Sequence, residues 1–281
     1  MYKLILLEGI PGSGKSSAGA ALQNFLESHR IPSHFCREGD FDHPADFEGV
    51  ACFNQPQFEA LLSRHPALVD LLQEHTSVRG DDYLLKYRKL QALHPQKVDR
   101  VLMDECSQLD VYDGLPVDEY CRLALERWRD FCHAKRSDEV TLLECCFLQN
   151  PLTVMLARHN TDPQAARQHI EKITEIIRAL NPLVIYLHPR NVADTLQHVR
   201  AQRPKEWADF VTGYLTEQAY GKAHHLSGFD GVIQFYAMRQ TLEMDILRSL
   251  PIQHLVVEHS GREWDRCEKE IAANWNLLNP P

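Results

Sequence analysis

The chain has 281 residues, 44% of them hydrophobic and 25% charged, enough for one large α/β domain with an insertion and ordinary for a soluble globular protein. A formal net charge of −9 with no basic tail or Lys/Arg-rich run repels phosphate backbones, so nucleic acid is not the expected partner. No apolar stretch approaches the roughly 18 residues of a membrane span, so no membrane partner is expected. The N-terminus leads straight into a strand, so no signal peptide is expected. Eight cysteines, at 36, 52, 106, 121, 132, 145, 146 and 267, show no C-x-x-C spacing. That pattern excludes a disulfide framework or zinc site and points to reduced thiols in the cytoplasm.

In chain order, Lys3-Leu-Ile-Leu-Leu-Glu8 is an apolar run of strand length. It leads into Gly9-Ile-Pro11-Gly12-Ser13-Gly14-Lys15-Ser16, a full G-x-x-x-x-G-K-[ST] loop, and then into a helix marked by Ala18, Ala21, Leu22, Phe25 and Leu26 on one face. Strand, Gly-rich loop and helix together form a phosphate site. The glycines permit close backbone approach, and the N–H groups at the helix start attract an anion. Lys15 is placed to reach the β- and γ-phosphates, and the Ser16 hydroxyl to ligate Mg²⁺. The expected nucleotide cradle is therefore Gly9, Pro11, Gly12, Ser13, Gly14, Lys15, Ser16 and Ser17, with ATP and Mg²⁺ as cofactors.

Residues 33–37 read as a second strand ending in the acidic turn Glu38-Gly39-Asp40-Phe41-Asp42-His43-Pro44. From about 45 to 138 the pattern predicts a mostly helical insertion without a convincing core strand. Within it, helices are expected on both sides of Pro66, and Asp81 could cap a helix holding Tyr83, Tyr87 and Leu90. Val101-Leu-Met103 before Asp104-Glu105 could be a very short strand, and a helix is expected from Pro116 to Lys135. Alternation then resumes, with strands at 139–147, 183–187 and 252–257. Helices open at Asp162-Pro163 and Asn191, others carry Trp207 and Met244, and a Trp264–Trp275 helix closes the chain. Five strands separated by helices predict an α/β three-layer sandwich with a five-stranded parallel sheet. Glu38, Asp40 and Glu144 fall at the carboxyl edge of that sheet, where ligands bind. Asp40 also suits simple turn formation, and Glu144, which follows Leu142-Leu143, suits Mg²⁺ held through water or a buried structural acid. Arg262, in the Ser260-Gly261 turn, is a candidate for stacking on adenine.

On these residues the chain resembles the P-loop kinases of nucleosides, nucleotides and other small molecules, the group that includes thymidylate kinase, deoxynucleoside kinases and chloramphenicol phosphotransferase. The resemblance spans about residues 1–42 and 139–275, and the loop is its specific motif. It implies a P-loop NTPase fold and a carboxylate after the second strand that faces the phosphoryl acceptor, a place held by Glu38 and Asp40. It also implies an acid at the end of the third strand, here Glu144, usually followed by an arginine where this chain has Cys145. A lid at about 200–225 is implied, where Arg200, Arg203 and Lys205 fall; the same residues also suit a solvated helix end. The expected activity is an ATP- and Mg²⁺-dependent transfer to a hydroxyl of a small molecule such as a nucleoside, metabolite or antibiotic. Asp40 is the expected base and Glu38 the orienting group, with Lys15, Arg200 and Arg203 assisting and the insertion binding the acceptor. A homodimer is left open. The alternative is a P-loop nucleotide hydrolase acting as a regulatory switch, for which no N-K-x-D pattern is found. A polynucleotide kinase is disfavoured by the acidic balance.

Overall fold

A computed structural model describes residues 2–135 and 138–259, with Lys269 and Ala273 as isolated positions. The chain divides into two compact units, one made of the residues up to Glu38 and from Leu125 onward, the other of Gly39–Ala124. In chain order the elements are β1 (Leu4–Gly9), α1 (Lys15–Ser28), β2 (Ser33–Cys36), β3 (Ala51–Phe53), α2 (Gln55–Arg64), α3 (Val69–Glu74), β4 (Thr76–Arg79), β5 (Asp82–Leu85), α4 (Tyr87–Leu93), α5 (Arg100–Ser107) and α6 (Val117–Ala134). They continue as β6 (Val140–Glu144), α7 (Gln149–Leu152), a π-helical turn (Thr153–Arg158), α8 (Pro163–Ile177), β7 (Pro182–Pro189), α9 (Val192–Gln202), α10 (Lys205–Thr216), α11 (Ala219–Ala223), α12 (Gly228–Ser249) and β8 (Gln253–His259).

The first unit is built on a five-stranded parallel sheet in the order β2-β6-β1-β7-β8, flanked by helices. The five strands are those that the apolar runs predict. β1 is buried along its whole length, which is why it reads as a continuous apolar run and not as an alternating one. One face of the sheet carries Ile5, Leu7, Leu142, Leu183, Ile185 and Val257 against Ala18, Leu22 and Leu26 of α1. Each fully buried leucine there contributes about 1.5–3 kcal/mol relative to exposure. Asp162 and Asn191 cap α8 and α9 as expected, their side chains accepting from Gln164 N and Asp194 N.

The second unit departs from three expectations. Helices predominate over strands in it, but β3, β5 and β4 form a three-stranded antiparallel sheet where no convincing core strand was expected. Tyr83 lies in β5, paired with Val78, and not in a helix capped by Asp81. Val101-Leu-Met103 is helical, inside α5, whose N-cap is Asp99 accepting from Leu102 N. The acid pair Asp104-Glu105 therefore follows no strand. The break before Pro66 is found between α2 and α3, and Asn54 with Gln57 forms a full capping box at the start of α2. The unit has its own core, with Phe53, Phe58, Leu61, Leu72, Leu85, Leu90 and Leu102 buried together. The Trp264–Trp275 helix and Arg262 fall outside the described residues. Among the described residues no helix is long and apolar enough to cross a membrane.

Candidate active site

The phosphate loop follows β1 and closes onto α1 as the motif requires. Gly12 and Gly14 take positive φ (78° and 88°), Gly14 serving as the N-cap of α1. At Gly9, a Cβ would lie 2.5 Å from Leu187 O and 2.7 Å from Ser13 Oγ. At Gly12 a Cβ would meet Val199 of α9 at 2.0 Å, so the glycine lets the α9 helix pack directly on the loop. Lys15 is buried, and its Nζ donates to Gly9 O (3.2 Å) and Ile10 O (3.0 Å), spanning the loop from within. Burial works against the Lys15 charge and Arg239 opposes it, but the negative charge of Glu38 and Glu144 holds its pKa above the ordinary amine value. Ser13 Oγ is buried without a hydrogen-bond partner. An orphaned hydroxyl inside a loop lined by glycines fits a bound phosphate oxygen.

The acids at the strand ends meet this loop. Parallel register pairs Leu7 with Glu144, which puts Glu144 on the α1 face of the sheet. There it accepts from Ser16 Oγ at 2.7 Å through Oε1, while Oε2 accepts from Glu38 N at 3.4 Å. Carboxylate oxygens of Glu38 and Glu144 and Cys145 Sγ all lie within 4.8 Å of one another. Glu144 and Ser16 offer the hard oxygen donors that Mg²⁺ takes, so the residues present fit that ion. Cys145 sits where the resemblance implies arginine, and at φ +68° it turns the chain off β6 in a conformation non-glycine residues rarely adopt. Its buried thiol donates to Glu38 Oε2 at 3.3 Å, and burial above all keeps its pKa well above the ordinary thiol value. Cys145 is therefore a neutral donor to Glu38 and not a nucleophile.

Glu38 is exposed, yet both of its carboxylate oxygens are engaged, since Gln149 Nε2 donates to Oε1 at 2.8 Å. The structure points the Gln149 amide at Glu38. Gln149 is held by residues that sequence reasoning passed over. Glu8, fully buried, accepts from Phe147 N (2.8 Å) and Gln149 N (2.9 Å). Burial raises the Glu8 carboxyl to about 7, against those backbone donors. Register sets Glu8 beside Tyr186, whose hydroxyl donates to Glu243. Glu243 forms an ion pair with Arg239 one turn earlier on α12 (3.0 Å), both fully buried. The signals were present in the sequence as a glutamate closing an otherwise apolar strand and an i,i+4 Arg/Glu pair on a helix rich in apolar residues.

The remaining expected site residues divide as follows. Asp40 belongs to the second unit, where its Oδ1 accepts from Asp42 N at 2.9 Å and its carbonyl from His43 N at 3.0 Å. That is the turn-forming arrangement aspartate commonly adopts. Asp42 takes Lys86 and Lys89 at 2.7 and 2.6 Å, which hold its carboxyl at about 2. Arg200, near the end of α9, stacks on Phe229 (4.7 Å), and Arg203, just past α9, stacks on Trp207 of α10 (5.1 Å). Pro11 and Ser17 lie in the loop and the first turn of α1, neither buried.

No protein-family profile matches the chain, and no curated protein matches it. Among solved structures the chain is similar to thymidylate kinase from Candida albicans, at 13% identity and a TM-score of 0.41 over 98% of this chain and 93% of that one. At that score the likeness says nothing about activity. What the chain itself presents is an α/β fold with a five-stranded parallel sheet and a complete G-x-x-x-x-G-K-S loop between β1 and α1.

Proposed function

We propose that the chain is a kinase that transfers the γ-phosphoryl group of ATP, with Mg²⁺, to a hydroxyl of a small molecule such as a nucleoside, a metabolite or an antibiotic. One observation carries the reading: a complete phosphate loop has Ser16 bonded to Glu144 at 2.7 Å, with the exposed Glu38 carboxylate fixed next to that pair. A bare nucleotide-binding loop has no need of a second, oriented carboxylate. A hydroxyl acceptor does, because its proton must be taken as it attacks.

In this reading the loop amides and Lys15 neutralise the phosphates, and the buried position of Lys15 strengthens that interaction. Ser16 and Glu144 hold Mg²⁺, which when bound neutralises charge on the β- and γ-phosphates. Glu38 accepts the acceptor proton, a role the sequence favoured for Asp40. Arg200 on α9, which packs on the loop through Val199, and Arg203 at the C-cap of α9 supply further positive charge to the phosphates.

The test is ATP turnover by purified protein with Mg²⁺, alone and with a panel of nucleosides, sugars and aminoglycoside or phenicol alcohols, followed by detection of the phosphorylated product. Slow turnover alone and fast turnover with one acceptor class supports the kinase. Turnover indifferent to every acceptor assigns the chain to the hydrolases. Lys15→Ala should lose ATP binding and turnover in either case, and a folded Lys15→Ala variant with full activity overturns the loop assignment.

A further inference from the structure

Of the groups the proposed chemistry does not use directly, the buried set behind Glu38 is the most constrained. The Gln149 backbone N–H is taken by Glu8 at 2.9 Å. Its carbonyl accepts from Thr153 Oγ1 at 2.6 Å and from Arg239 Nη1 at 3.5 Å, and Arg239 Nη1 also donates to Thr153 Oγ1 at 2.6 Å. Thr153 begins the π-helical turn that follows α7. Such turns cost hydrogen-bond geometry and cluster at functional sites. Arg239 is anchored from behind by Glu243. The Gln149 backbone is thus fixed, and its side-chain Nε2 donates to Glu38 Oε1 at 2.8 Å and to Asn150 Oδ1 at 3.4 Å. Its other amide atom, Oε1, is buried without a partner, so the amide is kept in place for the bonds its nitrogen makes, the shorter of them to Glu38.

We infer that Gln149 is a positioning residue for Glu38, and that Glu8 on one side and the Arg239–Thr153 pair on the other set its orientation. The inference rests on the proposed kinase reading only for its kinetic consequence; the geometric claim stands apart from it. With Oε1 taken by Gln149 and Oε2 by Cys145, the Glu38 carboxylate is held in one orientation. An exposed glutamate without such partners samples several rotamers, and only a fraction of them suits proton transfer. The two fully buried acids, Glu8 and Glu243, and the buried Arg239 then have a purpose beyond folding. Burying charges is costly, and an apolar core would serve stability as well.

The test uses the full chain. Gln149→Leu keeps the bulk and removes the donor. A crystal structure of this variant should show the Glu38 carboxylate displaced from its place beside Glu144, and an unmoved Glu38 overturns the inference. Kinetically, Gln149→Leu should lower kcat about 10- to 100-fold, the scale of a lost orientation, with KM for ATP within about twofold. In a Glu38→Gln background the same substitution should cost nothing further, because Gln149 acts only through Glu38. Equal losses in both backgrounds overturn the inference and make Gln149 structural. If Gln149→Leu does not fold, Thr153→Val gives the second measurement. It should lower kcat about 3- to 10-fold, and Thr153→Ser, which keeps the hydroxyl, should restore it; wild-type kcat in Thr153→Val overturns the relay. If the wild-type protein binds ATP and phosphorylates no acceptor, the kinase reading has failed, and the position of Glu38 in the crystal still decides the inference.

Discussion

Glu8 makes a sharp test of the site's interior. Burial raises its carboxyl from 4.5 to about 7, and Glu243 adds to the rise, against the N–H groups of Gln149, Phe147 and Leu148. Between those two pH values the folded chain holds a proton that the unfolded chain has released. Stability from this group is therefore fully present below pH 4.5 and is lost as pH rises through about 7. At about 1.4 kcal/mol per pH unit the loss amounts to about 3 kcal/mol. The total stability curve will not show it cleanly, because burial holds His169 down to about 4 from 6.5, with Lys172 adding to the effect. His169 favours the unfolded state as pH falls through that range, a slope of opposite sign. Glu8→Gln removes the titrating proton and keeps the shape; its NH₂ cannot accept the second backbone N–H that Glu8 takes, a cost independent of pH that offsets the curve without tilting it. Urea unfolding at half-unit intervals from pH 4 to pH 8 gives the two curves. The stability of the wild type minus that of Glu8→Gln should fall by about 3 kcal/mol across pH 4.5–7 and be level above it. A difference that is level throughout, or that rises with pH, would refute the reasoning and mean that the backbone donors keep Glu8 ionised.

Three further outcomes follow from the geometry. Glu38→Gln should cost about 10²- to 10⁴-fold in acceptor phosphorylation, while Asp40→Asn should stay within about threefold; the reverse pattern in a kcat assay would return the base to Asp40. Arg200→Ala and Arg203→Ala should each lower kcat more than they raise KM for ATP, and unchanged kcat in both, where chemistry limits turnover, makes the ring-stacked arginines structural. Gly12→Ala places a Cβ 2.0 Å from Val199 Cγ2 at φ +78°, so it should destabilise the fold by about 1–3 kcal/mol and weaken ATP binding in calorimetry; Val199→Ala in the same chain should recover the steric part alone, and full binding by Gly12→Ala would show that α9 does not need the close approach.

Three strands of the parallel sheet, β1, β6 and β7, were legible because each is buried on both faces and so stands out as an apolar run bounded by turn residues. The strands of the second unit were not. β4 and β5 read Thr-Ser-Val-Arg and Asp-Tyr-Leu-Leu, and β4 has no buried residue, so hydropathy carried little signal there. The signal that was present is local. Gly80, at φ +56°, and Asp81 separate Arg79 from its partner Asp82, a two-residue Gly-Asp connection of the kind that closes hairpins.

The glycine-rich loop was legible in the sequence alone, because its chemistry lies in contiguous backbone from Gly9 to Ser16 and in the Ser13, Lys15 and Ser16 side chains within it, where local geometry leaves few alternatives. The preference for Glu38 over Asp40 in the proposed reading was not, although only Gly39 separates them. It rests on Gln149 and Cys145 reaching Glu38 across more than a hundred residues of chain. In the same way Glu8 reads as the last residue of a strand until register sets it beside Tyr186 and the turn after β6 brings it two N–H groups. A carboxylate's role depends on what desolvates it and which donors meet it, and those neighbours are assembled by sheet order and helix packing, which the tertiary structure decides.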